Sequence, residues 1–450
     1  MPALLNTFGE STEMPGLSGK SSLMLIKASL MPMLLFFGVL FFGAATGYAA
    51  PAVEQLKSVS GNIFTESDHN FTALLVDKRA NELHVVEVKN NVPMITKSYN
   101  ILHGKNNGDK LREGDRKTPE GFYFVLSYIP PEKLDKTLFG EGAFTLNYPN
   151  IMDKNKGKTG HGIWIHGRGI DRDNEKTKGC VSLSNSDLEN LKTYILAETP
   201  VIISDSLEFL SPEDYKKRKK KYIDIFKGFI SSWEKGDFEG FANYFDTNFR
   251  GYDGHSAQSY LNRKKRLMSA YPNRRVVTSN VNIFKENATK LMYTFDQFYC
   301  AENILSYGNK RLYLLAEKEG DYRIIAEEFT KLEMDPYIEK SVISTVNKWK
   351  TVWQAKDIEK YISHYSSSFR SDKMDLKQWK AYKKGLFRGP KQIRINLSDL
   401  KIKAVSPRKI VVSFVQEYTS GNVTDKGIKT LILNGCPGDY KIAEETWRPA

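Results

Sequence analysis

The stretches "GIWIHGRG" (residues 162–169) and "TKGCVSLSN" (residues 177–185) decide how this chain is read, because each sets one chemically capable side chain beside glycine. Strand alternation across the first puts Ile163 and Ile165 on one face and Trp164 and His166 on the other, and Gly167 lets the backbone turn beside the histidine. In the second, Gly179 precedes Cys180, permitting a tight turn with room for a carbonyl near backbone N–H groups, as an oxyanion site requires. A thiol of ordinary pKa, about 8.5, is little ionised at neutral pH, so a nucleophilic cysteine needs an imidazole to take its proton. On residue types alone two readings stand: Cys180 is a nucleophile activated by His166, or the two are buried neighbours in a turn-rich fold. Zinc is a weaker rival, since His161, His166 and Cys180 lack the paired spacing of metal sites.

Working outward, Ser186 and Glu189 have capping-box spacing for a helix with Leu188, Leu191 and Ile195 on one face, closed by Pro200 before the strand "VIIS". Upstream, "FTALLVDKRANELHVVEV" alternates as two strands joined by a turn at residues 78–81. The segment "GKNNGDKLREGDRKTPEGFYFV" is loop up to a strand over residues 122–126. Residues 71–208 are thus a β-rich unit with one convincing helix.

The chain has 450 residues, 40% hydrophobic and 26% charged, enough to fold as several domains. Lys20 and Lys27 precede a run without charge from Ala28 to Val53 that includes small residues at Ala45, Gly47, Ala49 and Ala50. Residues 1–50 read either as an export signal cleaved after Ala49 or Ala50, or as a membrane anchor through residues 28–50, with 51–70 a polar linker. Both readings place the remainder outside the cytoplasm, in the periplasm or cell envelope. That excludes nucleic acid as the partner of the +13 net charge and leaves lipid headgroups or an anionic wall polymer. Three cysteines make no disulfide framework in an exported chain of this size, and Cys300 and Cys436 read as packing residues.

Residues 209–221 read as a basic linker helix, either a solvated face or a surface for anionic polymer. Beyond it the sequence repeats. "ISSWEKGDFEGFANYFDTNFRG" is echoed by "KTVWQAKDIEKYISHYSSSFRS", matching Trp233 with Trp353, Asp237 with Asp357, Tyr244 with Tyr365 and Phe249 with Phe369. "DYRIIAEEF" (321–329) recurs as "DYKIAEETW" (439–447). Two α+β copies follow, at 222–333 and 334–450, their large aromatics forming the core of each. No His or Asp pair is shared between them, so binding or positioning is the economical role. They resemble the nuclear-transport-factor-like (SnoaL-like) cone fold.

"GIWIHGRG" with "TKGCVSLSN" resembles the signature of the L,D-transpeptidase catalytic-domain (YkuD-like) family, and "GDRKTPEGFY" (114–123) and "LNYPNIMD" (146–153) resemble its upstream blocks. The resemblance implies Cys180 as acyl-accepting nucleophile, His166 as general base, Gly167 orienting the imidazole through its main chain, and Thr177 and Gly179 shaping the turn whose Cys180 amide helps hold the oxyanion. The chain departs from the family at Ser182, where many members have Arg, and at Lys178, where others have His. Arg168, Lys178 and His161 are candidates for holding a stem-peptide carboxylate, with a solvated loop charge as the alternative. The implied activity is peptidoglycan L,D-transpeptidation: release of D-alanine from a tetrapeptide stem and transfer of the acyl group to an amine. L,D-carboxypeptidase trimming to tripeptides, linked to cell shape, is the alternative, and a non-catalytic wall-binding protein is the alternative of another class. Thiol acyl transfer requires no metal or organic cofactor.

Overall fold

A computed structural model describes residues 58–170, 176–251, 253–371, 373–389 and 392–449. The signal or anchor reading of residues 1–50 lies outside the described residues. Among the described residues no helix is long and apolar enough to cross a membrane.

Eight strands form the first sheet, in the spatial order Val92–Asn100, Glu82–Lys89, Phe71–Asp77, Pro200–Ser204, Gly121–Ile129, Ala143–Leu146, Trp164–Gly167 and Val181–Leu183. Neighbours are antiparallel except Phe71–Asp77 with Pro200–Ser204 and Trp164–Gly167 with Val181–Leu183, which are parallel. One face carries Leu74, Val76, Val85, Ile165 and Val181 into a core closed by Leu188 and Leu191 of the helix Asn185–Lys192. That helix is capped by Ser184, whose hydroxyl accepts from the Asp187 amide, so its cap lies two residues before the one expected at Ser186. The opposite face carries Ala73, Leu75, Phe122 and Ile202 against Phe284, Met292 and Tyr313 of the next sheet. Burial on both sides explains why "ALLV" and "VII" are continuous apolar runs. Each large side chain buried there contributes about 1.5–3 kcal/mol, which favours fixed docking of the two units over free hinge motion.

The C-terminal half holds two six-stranded sheets, each behind a long helix. The linker expected over 51–70 is instead part of this structure from residue 58: Val59–Ser60 pairs with Phe209–Leu210, and Ile63–Glu66 adds an edge strand to the first of these sheets beside Arg275–Asn287. Ile63 and Phe64 are fully buried, and their hydrophobic pull orders the segment. The basic stretch 209–221 is likewise no separate linker. It opens a helix, Pro212–Lys235, whose Tyr215, Tyr222, Phe226, Phe229 and Trp233 recur at helical spacing and bury in the first repeat, leaving most of the Lys216–Lys221 run outward.

Trp233, Trp353, Phe249 and Phe369 are buried, as their repetition suggests. Asp237 and Asp357 cap equivalent short helices, accepting from the Gly240 and Lys360 amides at 3.0 Å each. The match of Tyr244 with Tyr365 is off by one residue: Phe245 and Tyr365 begin equivalent strands, pairing with Ile324 and Ile442. Both copies also bury a charged cluster. Lys310 pairs with Glu327 at 2.8 Å beside Lys264, and Lys429 pairs with Glu445 beside Lys383. Lys264 and Lys383 lie over the Trp233 and Trp353 rings, at 4.9 and 4.4 Å.

Cys300 and Cys436 form a disulfide with their Cα atoms 6.0 Å apart, which corrects the packing-residue reading. Their non-equivalent positions are the reason they meet. The end of the strand Lys290–Cys300 in the first repeat enters the core of the second, where Phe298 and Cys300 pack with Trp349 and Cys436.

Candidate active site

The parallel pairing of Trp164–Gly167 with Val181–Leu183 aligns Ile165 with Val181 and His166 with Ser182. Ile165 and Val181 both point into the core. Alternation therefore sends Trp164 and His166 to the other face, and Cys180, one residue ahead of Val181, shares that face diagonally across from His166.

His166 is 5% exposed, and its Nδ1 lies 2.6 Å from the Gly167 carbonyl oxygen. A carbonyl only accepts, so Nδ1 carries the proton and Nε2 is left as the basic nitrogen. Burial lowers the imidazole pKa, with the Gly167 hydrogen bond opposing, so the ring is neutral at neutral pH. The Phe139 ring meets His166 edge-on at 5.2 Å and also packs on Trp164 at 4.9 Å. Gly167 leaves no room for a side chain: a Cβ there would come 2.1 Å from Asn185 Oδ1. Asn185 ties the walls together, accepting from the Glu141 amide and donating to the Arg168 carbonyl, each at 3.1 Å.

Cys180 is partly exposed as a residue, with Sγ donating to the Gly162 carbonyl at 3.5 Å. Burial of the sulfur pushes the thiol up to about 11, with a backbone hydrogen bond at Trp164 and the positive charge of Lys110 pulling the other way. Its turn is held on both sides. Thr177 Oγ1 donates to the Cys180 carbonyl at 2.6 Å and accepts from the Gly179 amide at 3.0 Å. Thr118 Oγ1 donates to the Gly179 carbonyl and accepts from the Gly104 amide, both at 2.9 Å. Gly179 has φ +141°, and a Cβ there would sit 2.9 Å from the Lys117 carbonyl oxygen.

Of the candidates for substrate contact, His161 and Lys178 are exposed and Arg168 is half-buried, its Nε without a hydrogen-bond partner among the described residues. Spacing did not single out Lys110, Thr118, Phe139 or Asn185. Lys110 is buried in the loop before Thr118, paired with Asp115 at 2.8 Å. The block "GDRKTPEGFY" (114–123) contained Thr118 without showing that it reaches the cysteine turn, and Lys110 lies just ahead of that block. Buried Lys78 fastens the same loop through the Gly108 and Thr118 carbonyls at 2.8 and 3.0 Å.

The family model of the L,D-transpeptidase catalytic domain (YkuD) matches residues 72–203, and that of the Cds6 C-terminal NTF2-like domain matches residues 221–328 and 341–446. The structure of Bd1075 from Bdellovibrio bacteriovorus is 30% identical over 61% of this chain and 99% of its own, with a TM-score of 0.56. The chain belongs to the L,D-transpeptidase catalytic-domain family, with NTF2-like domains following. This family member is also similar to the helical cell shape determining protein Pgp2 from Campylobacter jejuni, at 26% identity over 61% of this chain and 96% of that one, with a TM-score of 0.51. No curated protein matches it. The YkuD domain sets its chemistry at peptidoglycan and its place in the cell envelope.

Proposed function

We propose that this L,D-transpeptidase family member transfers the acyl group of a peptidoglycan tetrapeptide stem through a thioester on Cys180. The observation that carries this is the strand register that puts Cys180 and His166 on one face, with His166 Nδ1–H held by the Gly167 carbonyl. A thiol near 11 is ionised to the order of only 1 part in 10⁴ at pH 7, so a preformed thiolate is a minor species and a base must act during attack. His166 Nε2 takes the Sγ proton as sulfur bonds to the carbonyl carbon of the third stem residue. The Cys180 amide holds the resulting oxyanion. Collapse breaks the peptide bond, and His166 returns the proton to the departing D-alanine amine. In the second half an acceptor loses its proton to His166, attacks the thioester, and the released sulfur regains a proton from the imidazolium.

An amine acceptor gives L,D-transpeptidation, the reaction for which the family is named. Hydrolysis to tripeptides is a second reading, favoured by the likeness to a protein described as determining helical cell shape. Residues 1–50 supply the route of export in either form, signal or anchor. The Cys300–Cys436 disulfide fits an oxidising compartment outside the cytoplasm. Arg168, half-buried with no partner for its Nε among the described residues, is the substrate contact we favour for a stem carboxylate.

Purified protein with tetrapeptide muropeptides, read by mass spectrometry, tests both levels. Cys180→Ala should reduce turnover by more than 10³-fold, as loss of a nucleophile does; full activity in that variant would move the chemistry elsewhere. Joined stems identify transpeptidation. Tripeptides alone, with ample amine present, identify trimming.

A further inference from the structure

A groove of about 780 Å³ lies where the segment before Phe71, the first repeat and the second repeat meet, far along the chain from the cysteine turn. Its wall is one face of the helix Asp335–Gln354, where Tyr337, Ser341, Thr345 and Lys348 recur at helical spacing. Its two ends differ in sign. At the Tyr337 end stand Asp68, Asp296 and Glu333: Asp296 is held by Asn280 at 2.6 Å, and Asn280 accepts from Ser67, next to Asp68. At the other end stand Lys348, Lys441 and His364, close enough that the two lysines, after burial, lower the imidazole pKa. Asp439 pairs with Lys441 at 3.8 Å, whereas Lys348 is exposed with no ion pair among the described residues. Lys340 lies between the ends, and the Tyr440 hydroxyl, from a residue only 3% exposed, is buried at the wall without a partner among the described residues. From Tyr337 to Lys348 the helix rises about 16 Å at 1.5 Å per residue, the span of about five extended peptide residues at roughly 3.3 Å each.

We infer that this groove binds a short zwitterionic peptide in extended form, its amine toward Asp68 and Asp296 and its carboxylate toward Lys348. A peptidoglycan stem has that chemistry through the side-chain amine of its third residue and its C-terminal carboxylate, its N terminus being amide-bonded to the glycan, and in taking it as the occupant the inference rests on the function proposed above. Unlike the cysteine site, the groove exists only because a second repeat follows the first. More than a third of this chain lies outside the match to Bd1075, which is itself covered almost whole. A second stem held here would anchor the wall polymer while Cys180 works on another.

Full-length protein carrying Cys180→Ala, incubated with a photo-crosslinking tetrapeptide stem and mapped by mass spectrometry, tests this. Label is expected on residues 337–348 as well as around residues 161–180. Lys348→Glu or Asp68→Lys, both at exposed positions, should each cut the groove label at least fivefold and leave the active-site label unchanged. Tetrapeptide with amidated carboxylates should fail to compete. Active-site label without groove label overturns the inference and spares the proposed reaction, while loss of label at both places overturns the two together. Displacement of the groove label by peptide-free glycan strands would also overturn it, by making the ligand a saccharide.

Discussion

The two C-terminal repeats solve one electrostatic problem with different side chains. Each buries a glutamate between two lysines over a tryptophan, yet the hydroxyl completing the carboxylate comes from different elements. In the first repeat Tyr260, on the helix Ala257–Ala270, donates to Glu327 at 2.9 Å. In the second, Trp379 occupies the corresponding part of its helix, and Tyr365 donates to Glu445 at 2.7 Å from the strand position that Phe245 fills in the first. The cluster is therefore kept by the physics of burial, since a buried carboxylate needs its acceptor sites filled, while the residue that fills one of them is free to move. Their surroundings differ too: the first repeat is clasped by the strand Ile63–Glu66 and the catalytic sheet, the second by a disulfide to the first.

The comparison breaks most readily at the carboxylates. Glu327→Ala and Glu445→Ala each strand two buried lysines, and each should cost about 3–5 kcal/mol in denaturant unfolding; a loss below about 1 kcal/mol in either would show that its lysines do not depend on it. Cys300→Ser with Cys436→Ser should cost about 2–4 kcal/mol, and hydrogen exchange should locate the loss in the second repeat, because the first retains its clasp. Tyr260→Phe and Tyr365→Phe should cost about 1–2 kcal/mol each, and in the first repeat Phe245→Tyr should recover part of the Tyr260→Phe loss, which thermal unfolding would read.

A separate effect is on pH. Burial, helped by a neighbouring lysine, lowers Lys264 to about 7, and burial lowers Lys383 to about 8. Above these values the unfolded chain binds the extra proton, so stability rises with pH, from about 7 in the first repeat and about 8 in the second, until the unfolded lysines titrate. Lys264→Met and Lys383→Met should flatten that rise in unfolding followed between pH 7 and 9; an unchanged slope would mean that both amines stay charged when folded.

Much of this was legible in advance. Two strands at Phe71–Asp77 and Glu82–Lys89 follow from alternation and a turn, and the His166 and Cys180 stretches follow from glycine placement and strand parity. Less legible was anything that depends on a partner far along the chain. Ile63 and Phe64 sit in a short segment whose pairing strand lies more than two hundred residues away, so no local pattern distinguishes it from a linker. The charged clusters are not legible in the sequence, because a lone lysine in a helix reads as surface until its tryptophan and glutamate stand beside it. Lys110 and Thr118 were hidden for the same reason, in a loop whose ordering depends on buried Lys78.

By itself the sequence determined the chemistry available here: one cysteine on a glycine turn, one histidine at a strand end, and two copies of an aromatic-rich α+β unit. These are local matters of residue type, spacing and backbone freedom. Only the tertiary structure decided that the thiol is held protonated, that Cys300 finds Cys436, that the first strands clasp a distant sheet, and that two repeats enclose a groove with opposite charges at its ends. Burial, pairing and electrostatic neighbourhood depend on which surfaces exclude water from each other, and that is a property of the assembled fold.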